Sequence, residues 1–185
     1  MHSRLFLAAQ DVLVTRELPA RAEADMGSLK TGAVNFNDSE VAKSCKEALQ
    51  EIASNESSYY ELRFKPAYYF EVTGRQPPEE VGWYVILDRD VPLYVGRADN
   101  LCARLNSNQG STDNFGKANR ESDPERNFIK RFDELGMFSH LQVCVFCERQ
   151  LLPSLPCGQG AVTDLDRANI EKLLNIFRSC IRFKA

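Results

Sequence analysis

The sequence contains no apolar run long enough to cross a bilayer as a helix, which would need about 20 residues. Near its start, the apolar residues 5–9 are followed at once by Gln10 and Asp11, so we expect no signal peptide. Without a secretion signal, the six cysteines are expected to be reduced thiols in a cytoplasmic protein. A chain of 185 residues suffices for one ordinary domain, or for one small domain with an appendage.

The sequence also has no excess of basic residues. It has 23 Lys and Arg against 26 Asp and Glu, a formal net charge of −3, which is not the balance of a general nucleic-acid binder. The acidic excess lies in residues 1–81, with 9 basic and 13 acidic side chains, whereas residues 82–185 hold 14 basic and 13 acidic ones. Contact with a phosphate backbone should therefore be local, with weak long-range attraction.

A complete set of zinc ligands is missing as well. Cys144 and Cys147 have the spacing Cys-x-x-Cys, and Cys157 follows ten residues later. A zinc site would need a fourth ligand and a turn between the first two, but both cysteines lie in the apolar run 140–148, which predicts a buried strand. Side chains three positions apart in a strand face opposite sides of the sheet, so we interpret these cysteines as core residues.

Hydrophobic periodicity and turn residues predict the individual elements. Asn37 and Glu40 have capping-box spacing at the start of a helix over residues 39–53. The aromatic segment 59–70 is interpreted as core or as a strand covering the sheet, with a base-stacking platform as the alternative. The elements predicted after residue 82 are strands 83–87 and 93–95, a helix over 99–107, a helix between Pro124 and Gly136, strand 140–148 and a final helix capped by Thr163 or Asp164.

This order of elements predicts an α+β fold, in which helices flank a small antiparallel sheet. We expect residues 81–185 to form this domain. Residues 1–80 would be an N-terminal extension made of helical and aromatic segments.

The most informative stretch is residues 82–105. It begins with Gly-Trp-Tyr, reaches Tyr-Val-Gly after nine further residues, and has an arginine eight residues after the second glycine. The pattern predicts a hairpin that leads into a short helix, and Gly96 is expected to end the second strand. The stretch presents two tyrosines and two arginines, Tyr84, Tyr94, Arg97 and Arg104.

This pattern resembles the GIY-YIG nuclease superfamily, and residues 94–105 are especially similar to the nuclease domain of bacterial excision-repair endonucleases. The resemblance covers roughly residues 80–180 and implies a central three-stranded antiparallel sheet with helices on both sides. It also implies a metal-dependent endonuclease that hydrolyses phosphodiester bonds of DNA, with no membrane partner. One active site of such an enzyme cuts one strand, so double-strand cleavage would need a homodimer or two events.

The resemblance assigns roles to these side chains. Tyr84 would relay a proton from the attacking water and Tyr94 would support it, if a neighbouring cation or metal lowers the tyrosine pKa from about 10. Arg104 corresponds to the arginine that contacts the scissile phosphate, where a guanidinium stays charged and offers a planar fork of donors. Arg97 stands where the repair enzyme has a lysine near the same site, so we expect it to bind the substrate.

The remaining requirement is a carboxylate for a divalent ion. Glu171, on the last predicted helix and ahead of an apolar pair, corresponds to the glutamate of the family. One protein carboxylate with waters and phosphate oxygens is normal for Mg²⁺, so the resemblance implies one Mg²⁺ or Mn²⁺ ion. The alternative is that Glu171 is an ordinary solvated helix residue paired with a neighbour such as Arg167.

Two positions depart from the family pattern. Asn108 stands one helical turn after the arginine, where many members have His or Tyr, and an asparagine cannot act as a general base. We therefore expect Asn108 to contact the substrate. The family also places an asparagine shortly after the glutamate helix, where this sequence has Ile-Arg-Phe at 181–183.

The alternative function is a catalytically inactive module of the same fold that binds nucleic acid or a protein partner.

Overall fold

The computed structural model describes residues 38–65, 69–106, 140–155 and 162–184. They form an α+β fold around one five-stranded antiparallel sheet. The strands are β1 (Tyr59–Lys65), β2 (Tyr69–Thr73), β3 (Gly82–Asp88), β4 (Val91–Ala98) and β5 (Leu141–Cys147), in the spatial order β2-β1-β5-β3-β4. The helices of these residues are α1 (Ser39–Ala53), α2 (Leu101–Leu105), α3 (Glu148–Leu151) and α4 (Asp164–Phe177), with 3₁₀ turns at Glu56–Ser58 and Leu152–Ser154.

Among the described residues the sheet has five strands, so the expectation of three is wrong. The three predicted strands are present as β3, β4 and β5. Of the two additional strands, β1 lies within the aromatic segment and β2 begins at its end. In β1, Tyr60 and Leu62 are buried while Glu61 and Arg63 are exposed, which is the alternation of a strand with one buried face. β1 pairs with both β2 and β5, so the aromatic segment extends the sheet instead of covering it. The sheet thus continues across the predicted boundary at residue 80.

Each face of the sheet carries an apolar layer. On the face that we call the α4 face, α1 and α4 pack against Trp83, Val85 and Phe146, which are fully buried. The opposite face, which we call the tyrosine face, carries Tyr60, Tyr84, Ile86, Val143 and Val145 and is partly covered by α2. Cys144 lies in the first layer and Cys147 in the second, so their thiols face opposite sides of the sheet, as predicted.

Helix α1 occupies the predicted residues 39–53. Its apolar side chains recur at helical spacing and bury Cys45, Leu49 and Ile52 in the core. The helix is capped by Asp38, whose side chain accepts a hydrogen bond from the backbone nitrogen of Glu40 at 2.9 Å. The capping residue is therefore one position later than predicted.

Of the strands that the structure describes, β4 is at one edge of the sheet, and an edge strand tolerates the missing N–H of Pro92. The strand continues through Gly96 to Ala98, so the expectation that Gly96 ends it is wrong. The following helix, α2, is shorter than predicted and is capped by Asn100, whose side chain accepts from the Ala103 nitrogen at 2.8 Å.

Helix α4 begins after Thr163, as predicted. The Thr163 hydroxyl accepts a hydrogen bond from the Asp166 nitrogen, and the buried Asp166 carboxylate accepts from the Thr163 nitrogen at 2.9 Å, which completes a capping box. The predicted helix at 124–136, Asn108 and Cys157 lie outside the described residues. Within the described ranges, no helix has the length and apolar character needed to span a membrane.

Candidate active site

Two tyrosines lie side by side on the tyrosine face of the β3–β4 hairpin. Tyr84 is directly opposite Gly96 in the register of the two strands, and Tyr94 lies two residues before Gly96 on the same face. Their ring centroids are 6.1 Å apart and their planes are inclined by 38°, which is a normal tilted aromatic contact. Tyr84 is only 4% exposed, whereas Tyr94 is half-buried. The structure therefore brings the two predicted tyrosines together.

Gly96 makes room for both rings. A Cβ atom at this position would lie 2.5 Å from Oη of Tyr84 and 2.8 Å from Cε1 of Tyr94, well inside van der Waals contact. Gly96 does not have the positive φ that favours glycine, so the requirement is for space and not for backbone conformation. The glycine of the Tyr-Val-Gly motif thus leaves the space in which the two tyrosine rings pack.

Arg104 on α2 contacts the deeper tyrosine. Its Nε donates a long hydrogen bond to Oη of Tyr84, with a separation of 3.4 Å. Burial raises the pKa of Tyr84, Arg104 acts in the opposite direction, and the carboxylate of Glu171 raises the pKa further. The Tyr84 hydroxyl is therefore protonated at neutral pH. It also interacts with two of the three charged groups that the resemblance assigns to the site, Arg104 and Glu171.

Arg97 links the edge strand to the helix that carries the glutamate. Its Nη1 donates a hydrogen bond of 3.1 Å to the backbone oxygen of Asp164, in the first turn of α4. Because β4 alternates its side chains, Arg97 faces the α4 side of the sheet, opposite to the side of Gly96. The guanidinium therefore lies where α4 passes the edge of β4.

Glu171 lies in the middle of α4 and is half-buried. Burial raises the pKa of its carboxyl group, and the positive charges of Arg97 and Arg104 reduce this rise without cancelling it. Both arginines are thus close enough to interact electrostatically with the glutamate. The structure brings together five of the six residues predicted for the site: Tyr84, Tyr94, Arg97, Arg104 and Glu171.

Two contacts that the sequence did not reveal fix α4 in this position. The indole nitrogen of Trp83 donates a hydrogen bond of 3.0 Å to the backbone oxygen of Arg167. The guanidinium of Arg167 forms a bidentate pair with Glu148, at 2.6 and 3.0 Å, and also contacts Asp164 at 3.1 Å. Arg167 therefore pairs with these two carboxylates, whereas the alternative had assigned it to Glu171. Arg167 lies one helical turn before the glutamate, and its contacts with Trp83 and Glu148 hold α4 against β3 and α3.

Glu171 is the acidic side chain around which a metal site can be considered. Among the described residues, no group of three or more His, Cys, Asp or Glu side chains could hold a metal ion. Mg²⁺ and Mn²⁺ accept a single protein carboxylate, since waters and substrate phosphate oxygens complete the shell. The raised pKa of Glu171 shows that the two arginines do not compensate for its burial, so a divalent cation would favour the ionised form. These residues therefore fit one ion held through Glu171.

In comparisons with known proteins, no family model matches the chain, and neither a curated protein nor a solved structure matches it.

Proposed function

We propose that the chain is a metal-dependent endonuclease that hydrolyses phosphodiester bonds of DNA through a GIY-YIG-type site. The proposal is carried by one observation. Two tyrosines, two arginines and a glutamate from β3, β4, α2 and α4 converge at one edge of the sheet. Burying ionisable groups costs desolvation free energy that apolar residues would avoid, so such a cluster is more typical of a functional site than of a structural one.

The roles follow from the charge and position of each group. Arg104 and Arg97 would stabilise the negative charge that develops on the phosphate, because a guanidinium offers a planar fork of hydrogen-bond donors that matches phosphate oxygens. Because Tyr84 is protonated at neutral pH, it would act as a relay. It would accept the proton of the attacking water while its own proton passes to Tyr94 and then to solvent. A divalent ion held by Glu171 would supply an acidified water and further charge stabilisation.

The proposal is tested by nicking of supercoiled plasmid DNA in Mn²⁺. The wild type is compared with Arg104→Ala and Glu171→Gln. Matched controls are Arg63→Ala and Glu51→Gln, which alter exposed side chains of β1 and α1. We expect a loss of about 100-fold or more in the two site variants and normal rates in the controls.

The first product should be a nicked circle, since one site cuts one strand, and a linear product would indicate a homodimer or a second event. Equal cutting by all five proteins would place the activity elsewhere and refute the proposal.

A second candidate function is a catalytically inactive module that binds nucleic acid. The deep burial of Tyr84 favours it, because only 4% of this residue is exposed and burial opposes loss of its proton. The two functions differ in metal binding. A nuclease should show a rise in melting temperature with Mn²⁺ that Glu171→Gln abolishes, whereas the inactive module should bind DNA without a metal-dependent shift.

A further inference from the structure

A polar cavity, separate from the candidate active site, opens on the tyrosine face beside the start of β1 and the end of β5. Its volume is about 260 Å³, and Val145 forms part of its wall. Val145 lies directly opposite Tyr84 in the β3–β5 register, and neighbouring strands are about 4.8 Å apart. The cavity is therefore one strand away from the candidate active site. Its lining also includes Ser57, Tyr60, Arg75, Arg149 and Gln150.

Arg75 forms a fixed, planar cation at this cavity. Its Nη1 donates to Oη of Tyr60 at 3.1 Å, and its Nη2 donates to the backbone oxygens of Ser57 and Tyr59 at 2.6 and 2.9 Å. Its Cζ lies over the Tyr60 ring, 4.1 Å from the ring centroid, which is a cation–π contact. Among the described residues, no carboxylate forms a salt bridge with Arg75. Arg75 is exposed and lines the cavity, so its guanidinium is accessible to a ligand.

The rest of the wall supplies hydrogen-bond donors. Gln150 uses its Oε1 to accept from the Cys147 nitrogen at 3.2 Å, and among the described residues its Nε2 has no partner. Arg149 is 74% exposed at its side chain, and its Nε lies 3.1 Å from Oε1 of Glu80 without hydrogen-bond geometry. Arg149 can therefore turn towards a ligand. With Arg75, Arg149 and one glutamate, the cavity has an excess of positive charge.

We propose that this cavity binds an unpaired nucleobase of the substrate strand, an inference that rests on the proposed function and specifies its substrate class. Bases stack on guanidinium planes as well as on aromatic rings, and amide and guanidinium donors meet base edges. Its volume lies below the roughly 300–1,000 Å³ of drug-sized sites, so it suits one base and not a duplex. A base still paired within a helix could not enter, because it must first leave the stack.

The stacking surface is the Arg75 guanidinium and not an aromatic ring. The sequence suggested a base-stacking platform only as an alternative reading of the aromatic segment. Tyr60, from that segment, is 7% exposed, and Arg75 contacts its ring. The substrate is therefore DNA with an unpaired nucleotide near the bond to be cut.

The experiment measures binding in EDTA, so that it does not depend on cleavage. The probes are a short DNA duplex with one unpaired 2-aminopurine, the same duplex with that base removed, and a fully paired duplex. Dissociation constants and 2-aminopurine fluorescence are recorded for the wild type and for Arg75→Gln. The matched control is Arg63→Gln, on the same sheet but on the opposite face and exposed.

We expect the wild type to bind the unpaired base about 5- to 100-fold more tightly than the abasic duplex and to quench its fluorescence by stacking. Arg75→Gln should lose most of this preference, and Arg63→Gln should keep it. Gln150→Ala is a second test of the cavity, for the case that Arg75→Gln does not fold. It changes an exposed side chain and should weaken the preference for the unpaired base.

Equal affinity of the wild type for the base-containing and abasic duplexes, or a full preference in folded Arg75→Gln, would overturn the inference. If the protein nicks DNA but shows no base preference, only this inference fails. If it prefers the unpaired base but never nicks DNA, the base site stands and the nuclease proposal fails.

Discussion

Replacing Gly96 with alanine is the most direct test of the tyrosine pair, because the change adds one methyl group at a defined place. The new Cβ would lie 2.5 Å from Oη of Tyr84 and 2.8 Å from Cε1 of Tyr94. Tyr84 has little freedom to move aside, since it is 4% exposed and its hydroxyl is bonded to Arg104. At least one ring must therefore shift.

The expected cost follows from overpacking of a well-filled site, about 1–3 kcal/mol in the free energy of unfolding. For a chain of this size, about 2–4 °C is lost per kcal/mol, so the melting temperature should fall by about 2–12 °C. Activity should suffer more than stability, because a displacement of about 1 Å of a reacting group can cost about 100-fold in rate. We therefore expect plasmid nicking by Gly96→Ala to fall about 100-fold at temperatures at which the protein remains folded.

Gly74→Ala is the matched control, because Gly74 is constrained by its backbone conformation, whereas Gly96 is constrained by the space available for a Cβ atom. Gly74 has a φ of +76°, and a Cβ there would have no atom within 4 Å. Alanine should cost about 1–2 kcal/mol there from the left-handed backbone alone, with no effect on nicking. If Gly96→Ala has the nicking rate and the melting temperature of the wild type, the packing of the two tyrosines over Gly96 is refuted. Equal losses of nicking in both variants would trace the effect to stability alone.

Three further predictions concern the charged groups and the tyrosine hydroxyl. Because burial raises the pKa of Glu171, the folded state binds its proton more tightly than the unfolded state, and stability falls as pH rises from about 4.3 through the raised pKa. In calorimetry without metal, the melting temperature of Glu171→Gln minus that of the wild type should therefore be larger at pH 7 than at pH 4. The same difference at both pH values would contradict this. A double-mutant cycle of Arg167→Ala and Glu148→Ala in urea should give a coupling of about 1–3 kcal/mol, and additive effects would mean that the bidentate pair contributes nothing. Tyr84→Phe should lower nicking about 100-fold with an unchanged circular dichroism spectrum, and an unchanged rate would exclude a proton relay through this hydroxyl.

Much of the local structure and the choice of site residues followed from the sequence alone. The helical spacing of Cys45, Leu49 and Ile52 fixed α1, because a helix must bury its apolar side chains on one face. The Tyr-Val-Gly motif and the arginine after it indicated the hairpin, the short helix and their polar side chains, because these features lie within a few residues of one another. Glu171 could be chosen because the resemblance implies a glutamate on a late helix ahead of an apolar pair, but nothing local showed that it would lie near the two arginines.

The tertiary structure decided which separate segments meet. The period of two in the aromatic segment shows that it can form a strand, but only the pairing of β1 with β5, residues distant in sequence, makes it part of the sheet. The bidentate pair of Arg167 with Glu148 and the contact of Arg75 with the Tyr60 ring likewise join segments that are apart in the sequence. A sequence pattern reports how polar or apolar each side of an element is. Which partner that side contacts depends on the packing of the whole chain. Only the tertiary structure therefore decided the positions of Glu171 and of the cavity beside Arg75.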